Sequence, residues 1–149
     1  MNENKKLKYL SIVTFGLAVA GLVYLVLNKR ILATNMPGIV FQVCMAALMI
    51  WARITFGIRS FHASANTTQG GLVTNGPYSI FRHPIYAAII YFTWAGFFSH
   101  ADTRNLAATI LISASLIARL LIEERFLNQA YPEYASYSKK TARILPFVF

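Results

Sequence analysis

The sequence predicts an all-α integral membrane protein: about four transmembrane helices, a cytoplasmic loop and an amphipathic C-terminal helix. Three observations carry that prediction. The 149 residues are 56% hydrophobic with a mean hydropathy of +0.50, and only 13% are charged. A soluble domain has about a quarter of its residues charged, so this chain lacks the polar surface to cover a water-facing globule. Four apolar segments of roughly spanning length follow one another, and the basic residues between them fall mostly on one side. The length suits one domain, residues 1–149.

The first segment, Leu10–Leu27, is uninterrupted and follows Lys5, Lys6 and Lys8. It resembles a signal peptide, but the apolar run is too long for one and no small-x-small cleavage site precedes a polar domain. It reads as a retained span. The second, Ile39–Ile58, is apolar apart from Gln42, Arg53 and Thr55. The third crosses only if its helix starts near Pro84, giving a span over 84–98; proline suits a first helical turn. The fourth, Leu106–Ile122, contains Ser113, Ser115 and Arg119. A helix needs about 20 residues to cross the hydrocarbon core.

Placing the N-terminus in the cytoplasm puts nine basic residues inside: Lys5, Lys6, Lys8, Arg59, Arg82, Arg125, Lys139, Lys140 and Arg143. Three, Lys29, Arg30 and Arg104, fall outside. That asymmetry predicts both termini cytoplasmic. Arg53 and Arg119 sit inside spans near their inner ends, where they can snorkel. The net charge of +9 would suggest nucleic acid in a soluble protein. Here the basic residues are scattered among apolar runs and form no stripe, so nucleic acid is not an expected partner.

The loop over 59–83 ends in NGPYSIFRHPIY, Asn75–Tyr86. This polar, turn-forming stretch could be a plain connector. His83 could equally be an acid/base or a hydrogen-bond donor. The fourth span runs straight into Glu123 and Glu124. Paired carboxylates at a membrane boundary are costly unless solvated or partnered, which makes them functional candidates. The plainer reading is a solvated helix end, with Arg119 four residues before Glu123 on the same face. A carboxylate at a helix C-terminus also opposes the helix dipole.

The tail over 123–149 carries Tyr131, Tyr134 and Tyr137 at three-residue spacing, with Pro132 able to break the helix. It reads as an interfacial helix or as a lid over a cytoplasmic pocket. His62, His83 and His100 lack ligand spacing, so no metal is expected. The one cysteine, Cys44, excludes an intrachain disulfide and reads as inert packing.

Taken together, GLVTNGPYSIFRHPIY, a hydrophobic hairpin, EERFL and YPEYASYSKKTARILPF resemble the isoprenylcysteine carboxyl methyltransferase family, which is related to the membrane phospholipid methyltransferases. The resemblance covers roughly Gly70–Phe149 and rests on an ordered set: Arg82-His83-Pro84-Ile85-Tyr86, Glu123-Glu124, Tyr134 with Tyr137, and Arg143 with Pro146. It implies an S-adenosylmethionine-dependent methyltransferase without a Rossmann domain. The implied cofactor pocket lies between the last two spans, the motif loop and the C-terminal helix, and acceptors enter from the lipid bilayer.

On that resemblance Arg82, His83 and Glu123 are the catalytic candidates. His83, Tyr86, Glu123, Glu124, Tyr134 and Tyr137 are the cofactor-binding candidates. Many members have glycine two positions after the motif tyrosine, where this chain has Ala88.

Methyl transfer from a sulfonium is an in-line displacement that needs alignment and exclusion of water. A carboxylate acceptor needs no general base. An amine or thiol must lose a proton, which would make His83 or a glutamate the base. The lipophilic acceptor stays open at this level. The rival classes are a non-catalytic membrane assembly protein that keeps the fold, and a transporter subunit. The latter calls for polar residues near mid-bilayer, where few are present.

Overall fold

The computed structural model describes residues 3–57 and 71–145. Ile58, Arg59, His62 and Pro146 lie outside the described residues, and with them part of the expected loop and the end of the expected tail helix. Five α-helices follow in order: α1 Glu3–Leu27, α2 Met36–Phe56, α3 Pro84–Ser99, α4 Thr103–Ala130 and α5 Tyr134–Ser138. A 3₁₀ turn, Gly76–Ser79, precedes α3. Among the described residues there is no β-strand, only an isolated parallel bridge between Phe81 and Ala142.

The chain is an all-α protein with three helices, α1, α2 and α4, long and apolar enough to cross a membrane. The shorter α3 has 16 residues and starts at Pro84 as its sequence suggests. Most of the exposed large side chains of α1 and α2 are apolar, as lipid-facing surfaces require.

The packing is pairwise. α1 lies on α4 and α2 on α3, with α3 against α4 joining the two pairs. The α1 face buried on α4 is Ser11, Thr14, Ala18, Gly21 and Leu25, a stripe of mostly small residues at alternating three- and four-residue steps. Small residues let helix axes approach closely when lipid supplies no hydrophobic drive. A side chain at Gly21 would stand 2.6 Å from Ile112 Cγ1. Likewise a Cβ on Gly96 of α3 would meet the Ile31 carbonyl oxygen at 2.4 Å, so the α1–α2 connection crosses directly over α3.

The helix α4 differs from expectation at its end. The apolar pattern stops at Ile122, yet the helix runs on to Ala130, with the Tyr131 N–H closing onto Leu127. Glu123 and Glu124 are therefore interior residues of a helix, and the dipole penalty of a terminal carboxylate does not arise. Beyond α4, the helix in the described part of the tail is the short α5, with Tyr131 and Pro132 lying in the break before it.

Candidate functional site

At the end of the bundle where α1 begins and α4 ends, Leu7 packs against Ile122 and Phe126. The tail doubles back here onto the segment before α3. Arg82 N–H donates to Ala142 O at 2.7 Å, Ala142 N–H to Ile80 O at 3.0 Å, and His83 N–H to Arg143 O at 3.2 Å. These bonds fix the backbone of Arg82 and His83 on one side and of Arg143 on the other. Tyr137 Oη adds a bond to Tyr78 O at 2.6 Å. Gly76, at φ +57° and close to Thr55, supplies the turn that Tyr78 follows. Positive φ is a conformation glycine takes at no steric cost.

The two glutamates point into different surroundings, because successive residues of a helix are rotated by about 100°. Glu124 is held by two guanidinium groups and faces an imidazole: Arg82 Nε lies at 3.1 Å, Arg143 Nε at 3.0 Å and His83 Nε2 at 3.5 Å. Glu123 accepts from Tyr86 Oη at 2.6 Å and lies 3.4 Å from Arg119 Nε and 3.7 Å from His83 Nδ1. The His83 ring thus has one nitrogen toward each carboxylate, and it stacks on Tyr86 with 5.7 Å between centroids. Arg82 also donates from Nη1 to Ser138 O.

Arg119 does not snorkel as its position suggests. It is only 2% exposed and donates to Tyr86 Oη at 2.7 Å and to Ser11 O of α1 at 3.0 Å. Its guanidinium sits 4.9 Å from the Phe15 ring centroid. A buried guanidinium is tolerated only when paired and hydrogen-bonded, and three helices supply those partners.

Two cavities flank this cluster. One, of about 210 Å³ and largely apolar, lies between α1, the end of α2, α3 and α4; Glu123, Tyr86, His83, Arg119 and Arg53 line its polar end. The other, of about 430 Å³, is polar and is lined by Glu124, Asn128, Tyr134, Ser138, Lys139 and Arg143. Arg82 borders both.

Tyr134 is buried and its hydroxyl has no hydrogen-bond partner. Burial, then the Glu124 charge, push that hydroxyl above the ordinary tyrosine range. Burial likewise pushes Tyr137 up to about 12. Both therefore stay protonated donors at neutral pH.

Of the residues singled out in the sequence, Arg82, His83, Tyr86, Glu123, Glu124 and Tyr134 meet at this cluster. Tyr137 lines neither cavity; it clamps the tail to the loop and packs on Tyr134, 5.9 Å between centroids. Two members escaped the sequence reading of the site. Arg119 was visible only as an i, i+4 partner of Glu123. Arg143 was visible only as part of the terminal motif. Ala88 is buried, 1% exposed, on α3. Among the described residues no group of three or more His, Cys, Asp or Glu side chains could hold a metal ion.

The fold and cluster define an all-helical membrane protein with one charged site at one end of its bundle. The phospholipid methyltransferase family matches residues 33–134. This chain belongs to that family, within the class of integral membrane methyltransferases that includes the isoprenylcysteine carboxyl methyltransferases.

It is 36% identical over 80 residues to a cobalt-zinc-cadmium resistance protein of Cupriavidus metallidurans, covering 50% of this chain and 35% of that one. It is 31% identical over 77 residues to a nickel-cobalt-cadmium resistance protein of Alcaligenes xylosoxydans xylosoxydans, covering 50% and 36%. The chain thus spans about a third of the length of the curated relatives it matches. No solved structure gives a significant match.

Proposed function

We propose that this protein transfers a methyl group from S-adenosylmethionine to the carboxylate of a lipophilic acceptor, at the cytoplasmic face of a membrane. The observation that carries the reading is the division of the glutamate doublet between a polar and an apolar cavity, with Arg82 and His83 at the boundary.

The polar cavity suits a zwitterion. Glu124 offers a carboxylate to an ammonium group, and Lys139 and Arg143 offer cations to a carboxylate. The partnerless Tyr134 hydroxyl is a buried donor that lines the same space. Opposite charges at two ends of a ligand fix its direction, and low local dielectric strengthens both contacts. S-adenosylmethionine, bound there, supplies an electrophilic methyl on a sulfonium.

The apolar cavity suits the acceptor. Its charged lining is Arg53, Arg82 and Arg119 against the single Glu123, with the His83 imidazole beside them. Such a set favours an anionic head and opposes an ammonium one. A carboxylate head needs no proton removed, so no general base is required. Tyr86, held between Arg119 and Glu123, and the stacked His83 then orient the head and keep water from the reacting atoms. The excess of basic residues at this end supports the cytoplasmic orientation.

Calorimetry on the detergent-purified protein tests the reading. S-adenosylhomocysteine should bind saturably, and Glu124→Gln should weaken it by about tenfold or more, a loss on the scale of one charge-assisted bond, with the protein still folded. Equal affinity in wild type and Glu124→Gln would remove the cofactor from the polar cavity.

A further inference from the structure

The polar cavity carries more positive charge than its one carboxylate answers. Arg82, Lys139 and Arg143 line it against Glu124, three cations to one anion. Glu124 is itself engaged at both oxygens. Arg82 Nε lies 3.1 Å from Oε1. Arg143 Nε lies 3.3 Å from Oε1 and 3.0 Å from Oε2. An ammonium group brought to Glu124 therefore meets two guanidinium groups. Like charges gathered on one carboxylate at low local dielectric repel strongly, so one guanidinium has to give way.

The two are not held equally. The Arg82 side chain is 4% exposed, and its Nη1 also donates to Ser138 O. The Arg143 side chain is 50% exposed, and among the described residues Glu124 is its one side-chain partner. A half-exposed ion pair is held far more weakly than a buried one. The Arg143 backbone is fixed separately, because its carbonyl oxygen accepts from His83 N–H. Its side chain is thus free to leave Glu124 while the tail stays docked.

We propose that Arg143 is a specificity-determining residue that changes partner when the cofactor binds. The incoming ammonium takes its place on Glu124. The released guanidinium, with Lys139 beside it, takes the ligand's carboxylate. For a zwitterion the exchange is balanced: Glu124 trades one cation for another, and Arg143 gains an anion. For an amine without the carboxylate it is not, because Arg143 is left with no counter-charge in a cavity that has a surplus of cations. The cavity therefore rejects the decarboxylated form of the same ligand. That discrimination resides at Arg143, not at the glutamate the ammonium touches. This assignment rests on the cofactor half of the proposed function.

The test compares two probes by calorimetry on the full-length protein in detergent. One is S-adenosylhomocysteine; the other is S-adenosylthiopropylamine, the same molecule without its carboxyl group. Wild type should prefer S-adenosylhomocysteine by about a hundredfold, the upper part of the range for a charge-assisted bond. In Arg143→Gln that preference should fall by about tenfold or more, and the decarboxylated probe should bind more tightly than it does to wild type. That gain marks an exchange, since a residue that only pins the tail would weaken both probes together. Arg143→Lys, which keeps the charge, should retain more of the preference than Arg143→Gln. Lys139 makes no ion pair with Glu124 among the described residues. Lys139→Gln should weaken S-adenosylhomocysteine and leave the decarboxylated probe within about twofold, as for a solvent-screened charge.

A preference unchanged in Arg143→Gln, or a decarboxylated probe bound more weakly by that variant than by wild type, would overturn the proposal. So would an equal gain in Lys139→Gln, which would reduce the effect to the overall charge of the cavity. Wild-type binding keeps the two readings apart. If S-adenosylhomocysteine binds, loses affinity in Glu124→Gln and yet gives one of those results, only the Arg143 assignment fails. If neither probe binds the folded wild type, the cofactor reading fails and the exchange with it.

Discussion

At the end of the bundle away from the described termini, polar side chains commit their atoms to backbone. Gln42, buried in α2, accepts from Ala33 N–H at 2.8 Å and donates to the Ile31 and Phe92 carbonyls at 2.8 and 2.9 Å. Asn35 caps α2 through Gly38 N–H and reaches Ser99. Asp102 caps α4 through Arg104 and Asn105 N–H groups. At the opposite end the polar atoms face one another and two cavities, and the buried Tyr134 Oη lacks a hydrogen-bond partner, as Thr109 Oγ1 within α4 also does. The contrast separates polarity that closes a fold from polarity gathered around open space. In the first case most groups answer backbone needs, near or far in the chain. In the second, charge is gathered beyond what the fold requires, at a cost that pairing only offsets.

That contrast can be broken by mutation. The largest expected effect is at Arg119, a charged-end residue that, like Arg82 on Ser138 O, also does the far end's kind of work. Arg119→Ala removes a partner of Glu123 and a bond to α1. It should cost about 3 kcal/mol, the lower end of the range for breaking a buried pair, since Glu123 keeps 23% exposure. Thermal unfolding in detergent measures it, and Arg119→Lys should rescue little, because an ammonium cannot reproduce the forked contacts.

Gln42→Leu should come next. It strands one N–H and two carbonyls, and should lose about 2–3 kcal/mol without changing S-adenosylhomocysteine affinity. An affinity change in this variant would blur the two-ended picture. His83→Ala should show the reverse: cofactor affinity down about tenfold, with stability changed by less than about 1 kcal/mol.

The smallest effect is the pH response of Asp102. The Asn105 N–H and, with it, the Arg104 N–H hold that carboxyl below its usual range. A depressed folded-state value means the stabilisation is present above the unfolded value and fades as pH falls through the folded one. The unfolding midpoint should therefore drop on acidification, and Asp102→Asn should lose that part of the drop.

The sequence made the helical membrane fold legible, because apolar runs and basic asymmetry are local signals. Local chemistry singled out Glu123 and Glu124 and left His83 open; the family resemblance is what brought Arg82, His83, Tyr86, Glu123, Glu124 and Tyr134 together. Arg119 and Gln42 were misplaced or passed over for a physical reason. What makes a polar residue in a span tolerable is its partner, and those partners are Ser11 O, 108 positions away, and Phe92 O, 50 positions away. The extension of α4 past Ile122 was hidden because apolar periodicity ends at the membrane boundary while helical hydrogen bonding does not. The split of the doublet between two cavities follows from helical rotation, but only once the helix is known to continue.

The parallel bridge between Phe81 and Ala142 has a consequence in time. Chains emerge from the ribosome N-terminus first, at about 5–20 residues per second, so Arg82 and His83 are made long before the strand of backbone that pins them. Helices α1 to α4 all precede the tail in the chain, so they are made while the charged cluster is still incomplete. The segment that carries Ala142 and Arg143 acts as a latch on a corner whose other side is already made. A cut in the stretch after α4 would therefore separate Arg82 and His83 from the backbone that pins them while leaving α1 to α4 intact.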